Sequence, residues 1–110
     1  MMKLAMSPAA AGLLRALLER AGVDKHRILL TEFRSTDWCS LIFAGERHRI
    51  DLRIPGPGAA AVADKLTRDL ADAEFVIPRQ IVAEITVEGA MIEHPDGAVS
   101  VRIEALTIAE

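Results

Sequence analysis

Near the start of the chain, Ala10, Leu13, Leu14, Leu17, Leu18 and Ala21 recur at the i, i+3, i+4, i+7 spacing of one helix face. Ser7-Pro8 supplies an N-cap and a first-turn proline, and Gly22 supplies the left-handed residue that closes helices, so the spacing predicts a helix over about 8–21. From His26 to Ile54 the period changes from helical to alternating, which predicts a meander of three strands over about 27–35, 38–44 and 47–54. Thr36-Asp37 is read as the first turn, and Ala44-Gly45-Glu46-Arg47 as a two-residue hairpin with glycine first. That register sets Phe43 against His48, Leu41 against Ile50 and Cys39 against Leu52, with Arg47, Arg49, Asp51 and Arg53 on the opposite, wet face.

Pro55-Gly56-Pro57-Gly58 ends the third strand. A second amphipathic helix over about 57–73 follows, with Val62, Ala63, Leu66 and Leu70 on one stripe and Asp64, Lys65, Arg68 and Asp69 on the other. The rest reads as one long hairpin, strands about 80–93 and 98–109. In it Ile81, Ala83, Ile85 and Val87 face Val99, Val101, Ile103 and Ala105 across the core side. A plain four-residue turn at His94-Pro95-Asp96-Gly97 would oppose apolar to polar. Pairing His94 with Ala98 and placing Gly97 in a bulge restores apolar to apolar.

The resulting order is α-β-β-β-α-β-β, a two-layer α+β domain spanning 1–110 with both helices on one face of a five-stranded, mostly antiparallel sheet. In element order alone this resembles the double-stranded RNA-binding domain and, over nearly the whole chain, the secretion-chaperone-like fold. The first resemblance implies a basic end on the second helix, and here that helix carries three aspartates among its charges.

Composition narrows the function. A net charge of −3 gives no electrostatic footprint for nucleic acid or an anionic membrane. No apolar stretch approaches the ~20 residues of a membrane span. Lys3 and the uncharged run that follows could open a secretory signal, but Ser7-Pro8 interrupts the run and the helical pattern continues through it. A cytoplasmic location with the one cysteine, Cys39, reduced is the default. Only three lysines among thirteen basic residues point to a GC-rich bacterial source.

Candidate chemistry is sparse. Cys39 and His48 stand about 13 Å apart in the derived register, too far for a nucleophile and its base. His26, His48 and His94 have no metal-ligand spacing, and two prolines remove the N–H groups that a phosphate cradle before the second helix would need. No cofactor and no metal are expected. The one enzyme-like signal is a carboxylate pair, Glu88 opposite Glu104, with Glu84 further along and Arg102 and the arginine row beside it. The stronger signal is a surplus of apolar residues on the wet face: Leu29, Phe33, Trp38, Ile42, Val82, Leu106 and Ile108. Such a patch marks an interface. The expectation is therefore a non-catalytic interaction or accessory domain that pairs with itself, or with another protein, through the open face of its sheet. The alternative is a small-molecule binder or enzyme using the carboxylates and arginines of that face.

Overall fold

The computed structural model describes residues 6–110. Residues 1–5, among them the Lys3 that begins the run weighed above as a signal, lie outside the described residues. Helix α1 spans Pro8–Ala21, capped by the Ser7 hydroxyl, which accepts from the Ala10 N–H at 3.1 Å, and closed by Gly22 at φ 70°. Strands β1 (Leu29–Cys39) and β2 (Ala44–Ile54) follow, then α2 (Ala59–Thr67) and three more strands, β3 (Gln80–Val87), β4 (Ile92–Glu93) and β5 (Val99–Ala109). One-turn 3-10 helices at Lys25–Arg27 and Leu70–Asp72 join them.

The fold is α+β, with an antiparallel sheet in the order β1-β2-β5-β3; the short β4 pairs with β5 beyond the end of β3. The β2 and β5 ladders place His48, Ile50, Leu52 and Ile54 beside Ala105, Ile103, Val101 and Val99 on one face. Both helices cover that face, and Leu13, Leu17, Val62 and Leu66 close the core against it. Each fully buried Leu or Ile there contributes about 1.5–3 kcal/mol relative to exposure.

Five strands form as expected, but they divide as two and three around α2, giving α-β-β-α-β-β-β. Neither of the element orders the sequence resembled is followed. Thr36-Asp37 does not turn: β1 runs straight through it, and the chain reverses at Ser40–Phe43, where the Ser40 hydroxyl accepts from the Phe43 N–H at 3.2 Å. Two polar residues imitate a turn when they lie on an edge strand with solvent on one side.

Gly45 is likewise a strand residue. It lacks the positive φ that a first-position hairpin glycine needs, and it pairs with Trp38 on one side and Ile108 on the other. Its lack of a side chain serves close packing, since a Cβ there would collide with the Thr107 carbonyl oxygen. The partners therefore change: His48 faces Ser35 rather than Phe43, Ile50 faces Phe33 rather than Leu41, and Cys39 faces Ala44 rather than Leu52. Cys39 is exposed.

Helix α2 stops at Thr67, short of residue 73, because Arg68 is extended and Asp69 is left-handed at φ 52°; that kink turns Leu70 inward from a separate 3-10 turn. At the far hairpin the bulged closure is as read: His94 N–H donates to Ala98 O at 2.8 Å, Gly97 N–H to His94 O at 2.9 Å, and Gly97 sits at φ 87°. The strand leading to it is broken, however. It leaves the ladder between Val87 and Ile92, and the register slips by two, so that Thr86, not Glu88, stands opposite Glu104. A further one-residue irregularity between Val82 and Glu84 reverses the faces, which puts Val82 against the core and Ile81 in solvent.

Because β2 and β5 meet at Gly45 with no room for a methyl group, Gly45→Ala should lower stability by about 3 kcal/mol, the upper end of ordinary overpacking costs. Urea unfolding of the variant measures this. A loss of under about 0.5 kcal/mol, the range of surface changes, would show that the approach is not tight.

Candidate functional site

The only polar side chains fully inside the core, among the described residues, are His48 and Thr107. They bond to each other: His48 Nε2 lies 2.8 Å from Thr107 Oγ1, and His48 Nδ1 lies 2.7 Å from Ser35 Oγ. Phe33 meets the imidazole edge-on, with ring centroids 6.1 Å apart. Strand pairing makes this arrangement, since Ser35, His48 and Ala105 form one row and Thr107 stands two residues beyond. A serine beside a histidine suggests nucleophilic catalysis, but the second ring nitrogen goes to a hydroxyl. A hydroxyl cannot stabilise the imidazolium that proton abstraction creates, as a carboxylate does. Both nitrogens are satisfied and the ring is held neutral, because burial depresses its pKa against a weaker opposing pull from Glu46. A cavity of about 340 Å³ adjoins this network, lined by Ser35, Ser7, Glu46, Phe33, Leu30 and Ala10.

The opposite face of the sheet carries charge in rows. Glu32, Asp51 and Arg102 form one row, Arg34, Arg49 and Glu104 the next, and Thr36, Arg47 and Leu106 the third. Arg102 grips Asp51 through two bonds of 2.8 and 3.2 Å, and the hydrogen bond from Arg102 is the main reason the Asp51 carboxyl titrates below its usual range. Asp96, pinned by the Ala98 N–H and by Arg53, moves the same way. The four residues expected to form a polar site do not gather. Glu84 reaches only Arg47, at 3.9 Å, Glu88 sits past the end of β3, Arg102 belongs to Asp51, and Glu104 faces Arg49 and Thr86. An acid catalyst needs a raised carboxyl, and the two clear carboxylate shifts are both downward.

Of the seven residues expected to form an apolar patch, Trp38, Leu106 and Ile108 share one end of the open face and the other four lie elsewhere. Phe33 and Val82 pack against the core under the helices, and Leu106 is buried. Trp38 and Ile108 share a row on the open face across Gly45, while Leu29 lies at the other end of that face beside Arg53. Ile42 is in the β1–β2 turn. There the structure shows what the alternation pattern missed: Leu41, Ile42 and Phe43 are 104%, 80% and 50% exposed, three consecutive apolar residues at a turn tip. The available signal was Ser40, whose hydroxyl accepts from the Phe43 N–H; Leu41, Ile42 and Phe43 carry no turn preference.

A second apolar surface flanks α1. A groove of about 650 Å³ is lined by Ala11, Leu14, Leu18, Val23 and Met6. Met6 also lines the cavity beside Leu30, Phe33 and Ser35, so the groove runs on the β1 side of the helix. The other flank is occupied, with Gly12 against Ile77 and Arg20 donating to the Leu66 carbonyl at 3.0 Å. Between groove and tip lies β1, an 11-residue edge strand.

The buried His48 makes stability depend on pH. Its folded pKa lies below the ordinary 6.5, so the unfolded chain takes up the proton first; stability is full above about pH 6.5 and is lost as pH falls from there toward the folded value. The slope approaches 1.4 kcal/mol per pH unit between those two values. Urea midpoints across pH 5 to 8 should show the fall, and His48→Gln should flatten it; an unchanged slope in the variant would assign the effect elsewhere. Compared with known proteins, the chain matches no family model and no curated protein.

Proposed function

We propose that the protein is a non-catalytic interaction domain whose partner is a second copy of itself. The observation that carries this is the exposed Leu41-Ile42-Phe43 tip. Burying Leu41 and Ile42 of both copies would contribute about 6–12 kcal/mol gross, which is comparable with the 4–15 kcal/mol that association costs in lost freedom. The tip alone is therefore marginal, and the edge strand supplies the remainder.

Strand β1 has one irregularity, at Thr31, and offers its outer N–H and C=O groups without interruption from Glu32 to Cys39, whereas the other edge is broken by an irregularity near Ala83, an excursion at 88–91 and a two-residue β4. Antiparallel pairing of two β1 strands sets the end of one beside the start of the other. Each tip then arrives next to Leu29 and Leu30, both exposed, and next to the Leu18–Val23 end of the α1 groove. One two-fold contact thus covers an unpaired edge, an apolar tip and an apolar groove. This moves the interface from the face of the sheet, where the sequence alone put it, to its edge. The excess of arginine over lysine and the exposed thiol of Cys39 support a bacterial, cytoplasmic setting.

Light scattering should give twice the chain mass at ~100 µM, well above ordinary dimer constants. Ile42→Asp should give a folded monomer, since residue 42 touches little of its own chain. A wild-type monomer at that concentration, or a dimer indifferent to Ile42→Asp, would overturn the assignment. Amide exchange within β1 should slow as wild-type concentration rises and should not do so in the variant.

A further inference from the structure

We propose that the open face of the sheet holds a binding site for a small oxyanion, between Arg34, Arg47 and Arg49. Arg34 stands directly opposite Arg49 on the neighbouring strand, and Arg47 is two residues from Arg49 on the same face. Like charges directly opposed across a ladder destabilise it. Such a cluster persists at low cost when carboxylates neutralise it, as Asp51 neutralises Arg102 one row away.

Here they do so incompletely. Arg34 has one bond to Glu32 at 3.3 Å, Arg47 reaches Glu84 only at 3.9 Å, and Arg49 has no carboxylate within 4.0 Å among the described residues. Glu104 faces Arg49 in register yet makes no ion pair with it. The Arg49 Nε is shut off from water and has no hydrogen-bond acceptor. A buried N–H without an acceptor is costly, so the chain's own groups leave this cluster incompletely satisfied.

An open space adjoins this cluster. A cavity of about 180 Å³ is lined by Arg34, Thr36, Arg47, Arg49 and Glu104, so three arginines and a single acidic residue border it. Guanidinium forks suit the paired oxygens of phosphate or carboxylate. The volume admits one such group and falls below the roughly 300 Å³ at which pockets for whole organic ligands begin. The ligand is therefore a free small oxyanion or the charged end of a larger molecule lying across the exposed face. The site faces away from the helices and from the outer backbone edge of β1, so it does not depend on self-association.

The test is calorimetric titration of the full chain with inorganic phosphate, and separately with succinate, at constant ionic strength. Saturable binding of one anion per chain is expected, with Kd on the order of 1 mM. The two titrations show whether phosphoryl or carboxyl is preferred. Arg49→Gln should weaken binding at least tenfold and Arg34→Gln by less. Arg53→Gln, on the same face but committed to Asp96, should leave it unchanged. Phosphate should also raise the thermal midpoint of the wild type and of Arg53→Gln. If Arg49→Gln does not fold, Arg47→Gln takes its place. Absence of saturable binding by either anion up to ~20 mM, or equal loss in Arg53→Gln, would overturn the site.

Discussion

The ladder between β2 and β5 is the constraint on which the molecule depends. Ten consecutive residue pairs, from Gly45 with Ile108 to Ile54 with Val99, join the two central strands without interruption. Every layer takes its position from that ladder. On one face it lines up the aliphatic rows against which both helices pack; on the other it alternates arginine with acid. At one end the strands come so close that only glycine fits at position 45, and in that same stretch Thr107 and His48 satisfy each other inside the core. A buried imidazole with both nitrogens bonded fixes the register, because slipping either strand by one residue would leave a polar ring unpaired in an apolar layer.

The elements with strong local signals were legible in the sequence. Helix α1, with its serine cap and closing glycine, and the His94–Ala98 bulged turn needed nothing beyond neighbouring residues to specify them. What escaped depended on long-range packing. Gly45 reads as a hairpin glycine because turn and close approach both call for the same residue, and only the position of Thr107, some sixty residues later, distinguishes them. The break at 88–91 is easily passed over because Glu88 and Ala90 could extend the alternation on paper, with Gly89, at φ 69°, as its one mark.

The candidate sites fared accordingly. The Glu88–Glu104 pair vanished with a register slip whose one local signal is Gly89, at φ 69°. The apolar set lost Phe33 and Val82 to the core because the first turn lies four residues later than its polar residues suggested, and because the faces of β3 reverse near Ala83. Ile42 remained exposed, but at a tip, where Leu41 and Phe43 join it. The Ser35–His48–Thr107 network required three strands to be placed at once.

Energetics separate the two ways this sheet could be covered. The open face carries Glu32, Arg34, Arg47, Arg49, Asp51, Arg53, Glu84, Arg102 and Glu104, and pressing a second copy onto it would dehydrate most of these groups at several kcal/mol per ion before any attraction is recovered. Edge pairing requires no such step. Its contacts are backbone hydrogen bonds and the apolar tip and groove at the rim, and the charges on the face keep their water. The same reasoning explains why the arginine cluster on that face suits a small oxyanion better than a protein surface. One anion can satisfy Arg49 and relieve the Arg34–Arg49 opposition while leaving the neighbouring rows solvated. A protein would have to match every row of the face at once.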